Sequence, residues 1–518
     1  MLDRRVVATV LVFLIPLAAH ATPLDVLTVG DPLEAELRAL DIAGPGATGG
    51  RIRLPRLHTR PLQLLELEPL GPVEVRDQPP GPGGAVSIER LGRFLARDLE
   101  DFAGEPGTSP RLYQRGWDSG ERLELSLGLE GRGDVDEDSS SFVTGSGVHA
   151  RIAAGIDRWL VYAHLFAGHV ADAQSFADPI VDSEDIVVHT EETFVSYTGG
   201  EARWGVQFGR SRWHWGPGEE GSLLLSKTAA PITALAGRVR IEPLRADAIA
   251  LSATLDAAAG EQLAAHRLEW QPMDGLRLGL AEAARYQSEA WEPLYLVGVI
   301  PYVLVQRLQT QDEPDSAGAL RNNVLVGIDA AWRIAPGTRI YGELLIDDLH
   351  AETDDNPNKL AWQLGLEGVG TIAGTRLVWG AEYTRLSRYV YTSFFGRDFA
   401  AQDRPLGFPT GPDSRQIRVR GAWDLSPAWQ VLALVSQTDQ GENELDEPYV
   451  PGSGSVDPGD FEGVVEQTRE LELGLRFWPA SGIDVALSGG WRWVDAAGHV
   501  AGANTSGARG ALVLRLIR

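Results

Sequence analysis

The chain has 518 residues, with 46 Lys plus Arg against 72 Asp plus Glu, a net charge of -26 and no cysteine. Such an acidic excess repels phosphate polymers and argues against a nucleic-acid partner. Without cysteine there is no disulfide framework, no thiolate metal site and no lipid-modified N-terminal Cys, so membrane contact has to come from the body of the protein.

Arg4 and Arg5, the apolar stretch Val6 to Leu17 and the small-x-small run Ala19-His20-Ala21 read as a cleaved secretory signal over residues 1–21. That stretch is too short for a membrane-spanning helix, which needs about 20 apolar residues, and no later stretch is long enough. Residues 22–110 are predicted to form a partly helical annex ahead of the strands. Asp31-Pro32 supplies a cap and first turn, and Leu33, Leu37 and Leu40 follow at helical spacing. A second helix is predicted from Ser87, with Ile88, Leu91, Leu95 and Leu99 on one stripe. The Pro/Gly-rich stretches Gly44 to Gly50 and Pro79 to Gly84 are loop.

From residue 111 the period changes to two. Leu123, Leu125, Leu127 and Leu129 alternate with polar residues, as do Leu471, Leu473, Leu475 and Phe477. Between Glu201 and Arg210 the residues Ala202, Trp204, Val206 and Phe208 take one face, and Arg203, Gly205, Gln207 and Gly209 the other. Segments of about 10 residues with one apolar and one polar face suit tilted strands between lipid and a wet interior. Dividing residues 111–518 by about 22 residues per strand and connection predicts an all-β fold, a transmembrane antiparallel β-barrel of about 18 strands. Ala171 to Asp185, Thr310 to Arg321 and Asp439 to Glu466 are expected as external loops, and Ala335-Pro336-Gly337 as a periplasmic turn. The last strand alternates but ends Leu516-Ile517-Arg518, without the aromatic residue usual at that position.

Charge of both signs is predicted inside the barrel, at Arg203, Arg238, Arg240, Glu242, Glu343, Arg376, Glu382, Arg418, Arg420, Glu470, Glu472 and Arg476. For any single residue, mutual cross-strand pairing outweighs a ligand track. The segment from Arg210 to Pro231 breaks the alternation with Trp213, His214, Trp215 and a run of Gly and Pro, so its backbone cannot face hydrocarbon and must fold into the lumen or over one mouth. Trp213 and Trp215 are candidate stacking platforms for sugar rings, with Glu219, Glu220, Glu343, Asp347 and Asp348 as acceptors for hydroxyl groups. A plug loop whose tryptophans merely pack is an equal alternative.

An enzyme is not expected. Asp347 and Asp348 are adjacent strand residues pointing to opposite faces, a poor pair for glycoside hydrolysis. Ser222 or Ser226 with His214 lacks the surrounding pattern of a nucleophile, and the ten histidines show no HExxH spacing. No cofactor or metal is predicted.

The run WGPG followed by GSLLLS (Trp215 to Ser226) resembles the signature of the capsule assembly Wzi family of outer-membrane proteins. Further matches follow in order: HRLEW with GLAEAARY (His266 to Trp270, Gly279 to Tyr286), YGELLIDD (Tyr341 to Asp348) and PLGFPTGPDS (Pro405 to Ser414). The opening DPLEAELRAL and RPLQLLEL are similar to that family's N-terminal region. The resemblance covers nearly all of the chain after the signal. It implies an 18-stranded barrel with a periplasmic helical annex, a lumen obstructed by inward-folded loops, and a surface lectin role in tethering capsular polysaccharide. The partners expected are capsular or other surface polysaccharide and the lipid and lipopolysaccharide of a Gram-negative outer membrane, with the protein a monomer. The alternatives are a pore for small polar solutes and, with less support, an outer-membrane hydrolase.

Overall fold

The computed structural model describes residues 26–27, 32–44, 58–60, 62–63 and 112–517, the last with gaps at 118–120, 137–140, 170–180, 184–185, 201–202, 297, 306–321, 349–356, 394–395, 451–459 and 480–482. The signal region, the helix predicted from Ser87 and the loop Thr310 to Arg321 lie outside the described residues.

Eighteen long strands form one closed antiparallel barrel. In chain order they are β1 (Arg122–Asp136), β2 (Ser141–Ile156), β3 (Trp159–His169), β4 (Ile186–Gly199), β5 (Trp204–Ser211) and β6 (Ile232–Ile241). Then come β7 (Ala246–Asp256), β8 (Glu261–Met273), β9 (Leu276–Gln287), β10 (Asn323–Ala335), β11 (Thr338–Asp348) and β12 (Lys359–Ile372). The wall is completed by β13 (Thr375–Leu386), β14 (Ser414–Ser426), β15 (Trp429–Gln440), β16 (Glu466–Phe477), β17 (Ile483–Asp495) and β18 (Thr505–Ile517). Strand β18 pairs with β1 from Arg509 opposite Asp136 to Ile517 opposite Gly128, so the sheet has no open edge and its backbone groups are paired within the wall.

Period-two sequence decides which side chains meet lipid. On β5, Trp204, Val206 and Phe208 face outward, while Gln207 is buried inside. Leu471, Leu473 and Leu475 of β16, Trp491 and Trp493 of β17, and Leu512 and Leu514 of β18 continue the exposed apolar belt. No helix among the described residues is long and apolar enough to cross a membrane, so crossing falls to the strands. Strand β5 begins at Trp204, three residues after the predicted start, because Arg203 stands in the preceding turn. Arg203 is more than half exposed and pairs with Glu242 in the next turn, so these two residues belong to the rim and not, as predicted, to the lumen.

One end of the barrel carries short turns, such as residues 242–245 and 336–337, and the other carries the long connections. Helix α1 (Pro32–Ala43) sits in the short-turn mouth. Leu37 and Leu40 are buried, as the helical spacing predicts, and Ile42 with them, but Glu36 and Arg38 are also buried. The polar face is not solvated because the wall supplies arginines for it. Arg376 of β13 holds both carboxylate oxygens of Glu36 at 2.7 and 3.0 Å, and Arg277 and Arg339 reach Asp41 at 3.3 and 2.8 Å. Burial alone would raise the Asp41 carboxyl, but the Arg277, Arg339 and Arg333 charges take it below the ordinary aspartate range. The helix end is fastened through its backbone as well, since Arg333 donates to the Asp41 carbonyl and Gly337 N–H to that of Ile42.

Candidate functional site

After β5 the chain does not cross straight to β6 but dips into the lumen over residues 212–231. Trp213, His214, Trp215 and residues 222–226 are almost wholly buried. The wall makes room for them with small inward side chains, among them Ala234, Ala253, Ala265, Ala283 and Ala361, and Leu223 to Leu225 fill the space. The plug's backbone is then paired piece by piece. Trp215 N–H donates to Leu225 O, Gly216 N–H to His58 O, and Ser226 N–H to Leu406 O. His214 and Trp215 also lie antiparallel to Arg60 and Thr59. A connection entering from the long-loop end thus meets a segment associated with the short-turn end.

Glu343 of β11 is the central fastening. Its Oε1 accepts Gly218 N–H at 2.9 Å, and its Oε2 accepts Leu223 N–H and the Ser222 hydroxyl, each at 2.9 Å. This explains the WGPG run. A Cβ on Gly216 would stand 2.3 Å from Glu343 Oε1 and 2.4 Å from Ser222 Oγ, and one on Gly218 would stand 2.0 Å from the Gly221 carbonyl. Neither position has room for a side chain.

The other inward residues of β11 fasten other elements. Arg339 pairs with Glu367 and Asp41, and Tyr341 donates to Glu382. Asp347 accepts Tyr391 N–H at 2.7 Å, fixing the long-loop segment 387–413. Tyr391 in turn donates its hydroxyl to Leu223 O and receives Phe408 N–H, so this segment and the plug are one packed unit. Asp348 is half exposed and pairs with Lys359 at 2.9 Å, a cation whose charge also acts on Asp347.

Apart from Asp348, the sequence candidates therefore separate into three groups. Trp213 and Trp215 are 5% and 1% exposed, with their rings edge-to-face against each other, so in this structure they pack within the plug and present no open ring face. Glu343 and Asp347 are brought to one face of one strand, both occupied by backbone donors of the protein itself. Glu219 and Glu220 remain in reach of a ligand. They border a shallow recess with Tyr341, Glu382, Arg418 and Arg420, whose enclosed part has room for about one water molecule. Glu219 N–H donates to Glu382 at 3.0 Å, its carboxylate faces Arg38 and Arg420, and Glu220 pairs with Arg418. Arg418 and Arg420 keep 26% and 23% of their side chains exposed. Tyr341 and Arg38 escaped the sequence reading; Tyr341 shares the inward phase of Glu343 two residues on, which was a usable signal. Among the described residues no cluster of His, Cys, Asp and Glu has the geometry of a metal site.

The family model described as capsule assembly protein Wzi matches residues 108–506. The chain belongs to the Wzi capsule assembly family. Among solved structures it is similar to Escherichia coli Wzi, described as an outer-membrane protein involved in group 1 capsule assembly and a carbohydrate-binding β-barrel. The TM-score is 0.60 at 15% identity, over 96% of this chain and 99% of that one. Pseudomonas aeruginosa OprD follows at a TM-score of 0.43 and 12% identity, over 76% of this chain and 95% of that one. No curated protein sequence matches the chain. Helix α1 thus stops the short-turn mouth, and the plug descends from the end that carries the long connections.

Burial makes a prediction about the two tryptophans. Trp213→Ala and Trp215→Ala are expected to loosen the plug at a cost of about 3–5 kcal/mol each. This is measurable as a lower temperature for the shift from folded to unfolded mobility in gel electrophoresis. A drop in glycan affinity with an unchanged transition would instead return them to the ligand.

Proposed function

We propose that this protein is an outer-membrane barrel that binds a surface polysaccharide and helps to attach capsule to the cell, without chemistry on the polymer. The observation that carries the reading is a filled lumen with a partly open, mixed-charge recess at Glu219 and Glu220, in a chain of the capsule assembly family. Carboxylates and guanidinium groups are suited to sugar hydroxyls and to acidic sugars, and such charge-assisted hydrogen bonds are the strong ones. E. coli Wzi, similar in fold, is described as carbohydrate-binding, which supports the same ligand class here. Within this reading residues 1–21 are the removed export signal, residues 22–110 the periplasmic region and residues 111–518 the barrel, which stands as a monomer in outer-membrane lipid and lipopolysaccharide.

Binding of the host's purified capsular polysaccharide tests the proposal. Glu219→Gln and Glu220→Gln are each expected to weaken affinity about tenfold, a loss of about 1.5 kcal/mol per charge-assisted bond. Equal affinity in the double variant would remove the recess as the binding place. Turnover of the polymer would favour a hydrolase, and a steady porin-sized current a channel.

A further inference from the structure

Residues 288–305, between β9 and β10, lie outside the barrel. Leu263, Ala265 and Arg267 of β8 face the lumen, so the alternate residues Gln262, Ala264 and His266 face outward; by the same phase Glu282, Ala284 and Tyr286 of β9 do too. These outward residues are what the segment covers. Trp291 Nε1 donates to Thr254 Oγ1 at 3.2 Å, Gln262 Nε2 to Ser288 O at 3.2 Å, and Tyr302 N–H to Glu282 at 2.6 Å. Tyr295 stacks on Tyr286 with centroids 4.6 Å apart, and Tyr302 lies over His266, itself 3.3 Å from Glu282. At Gly298, with φ +61°, a Cβ would come within 2.5 Å of the Ala250 methyl, so the backbone rests directly on the wall.

The patch beneath this strap is wrong for lipid. It holds the His266–Glu282 pair and Ser252 near mid-strand, and Gln262 and Thr254 nearer the strand ends; one step along, the row Leu268, Leu280, Ile328 and Leu344 is apolar and exposed. Polar groups there would face hydrocarbon without partners. The outer side of the strap is the opposite. Pro293 to Val305 carries no charged residue, and Leu294, Leu296, Val303 and Leu304 are exposed, with Val299 77% exposed. Their side chains continue the belt made by Leu280, Ile328 and Trp332.

We propose that the strap is a re-entrant membrane element. It turns back from the external side into the outer leaflet, covers the polar patch of wall and presents its own apolar side chains to the lipid acyl chains. The binding surface is therefore for acyl chains, independent of the polysaccharide site.

The absence of cysteine makes the test direct. Val299→Cys and Leu304→Cys, each labelled with a thiol-reactive bimane, are compared with Asp446→Cys, at an exposed position of the connection between β15 and β16, in full-length protein reconstituted in phosphatidylcholine vesicles. With acyl chains brominated, the fluorescence at 299 and 304 is expected to fall severalfold, while aqueous iodide quenches only the label at 446. Iodide quenching at 299 and 304 equal to that at 446 would overturn the proposal, showing a strap in water. Protection from both quenchers would overturn it too, showing that protein, such as a second copy, covers the strap.

Discussion

Glu343→Ala is expected to unseat the plug and give a silent barrel a measurable single-channel current. The substitution strips the partner from two buried backbone N–H groups at once and leaves the Ser222 hydroxyl with the Trp215 carbonyl alone. An orphaned buried donor costs about 1–3 kcal/mol, so the loop that fills the lumen loses several kcal/mol of its hold. It also opens a void beside Gly216 and Gly218, the glycines whose shape is fitted to that carboxylate. Flickering currents in planar bilayers are the expected readout, absent in the parent protein. Glu343→Gln keeps an acceptor on one side and is expected to fall between. A silent Glu343→Ala barrel with an unshifted unfolding temperature would mean that Tyr391 and the Thr59 pairing hold the plug without it.

Arg376→Ala is expected to release helix α1 from the short-turn mouth. Its guanidinium, 2% exposed, joins Glu36 of the helix to Asp424 of β14, and its removal leaves two buried carboxylates with no cation between them. Breaking a buried ion pair from one side costs about 3–5 kcal/mol, more than the full hydrophobic contribution of one leucine. Protease added from the short-turn side should then cut within the N-terminal region, and the barrel's mobility shift should move to lower temperature. Arg376→Lys is expected to recover part of the loss only, because a single ammonium cannot hold both oxygens of Glu36 and reach Asp424 as well. Unchanged protease resistance in Arg376→Ala would assign the docking to Asp41 and its arginines.

The wall was legible because a strand writes its two environments into alternate residues. Leu471 to Phe477 and Trp204 to Phe208 needed no partner to reveal which side meets lipid, and strand number followed from length. The plug was legible as an interruption, and its glycines as a sign of close approach. What covers a side chain was not. Trp213 and Trp215 have the composition of a sugar platform, and only contacts with distant sequence, at Thr59 and Leu406, show them buried. Arg203 and Glu242 had the inward phase, but the strands ended before reaching them. The strap had a signal that alternation alone does not weigh: small and polar residues, Ser252, Ala264 and His266, occupy positions where a lipid-facing wall calls for large apolar ones.

The pairing of His214 and Trp215 with Arg60 and Thr59 bears on how the molecule is assembled. The two segments are far apart in sequence, and both are enclosed once β18 meets β1. Such a contact rewards the chain only after a long loop has been closed, so it forms late and slowly. A barrel that seals its seam with the N-terminal segment outside has to admit that segment through the narrow short-turn mouth, past the arginines that later grip α1. In a barrel that closes in that order, membrane insertion of the wall would precede the filling of its interior.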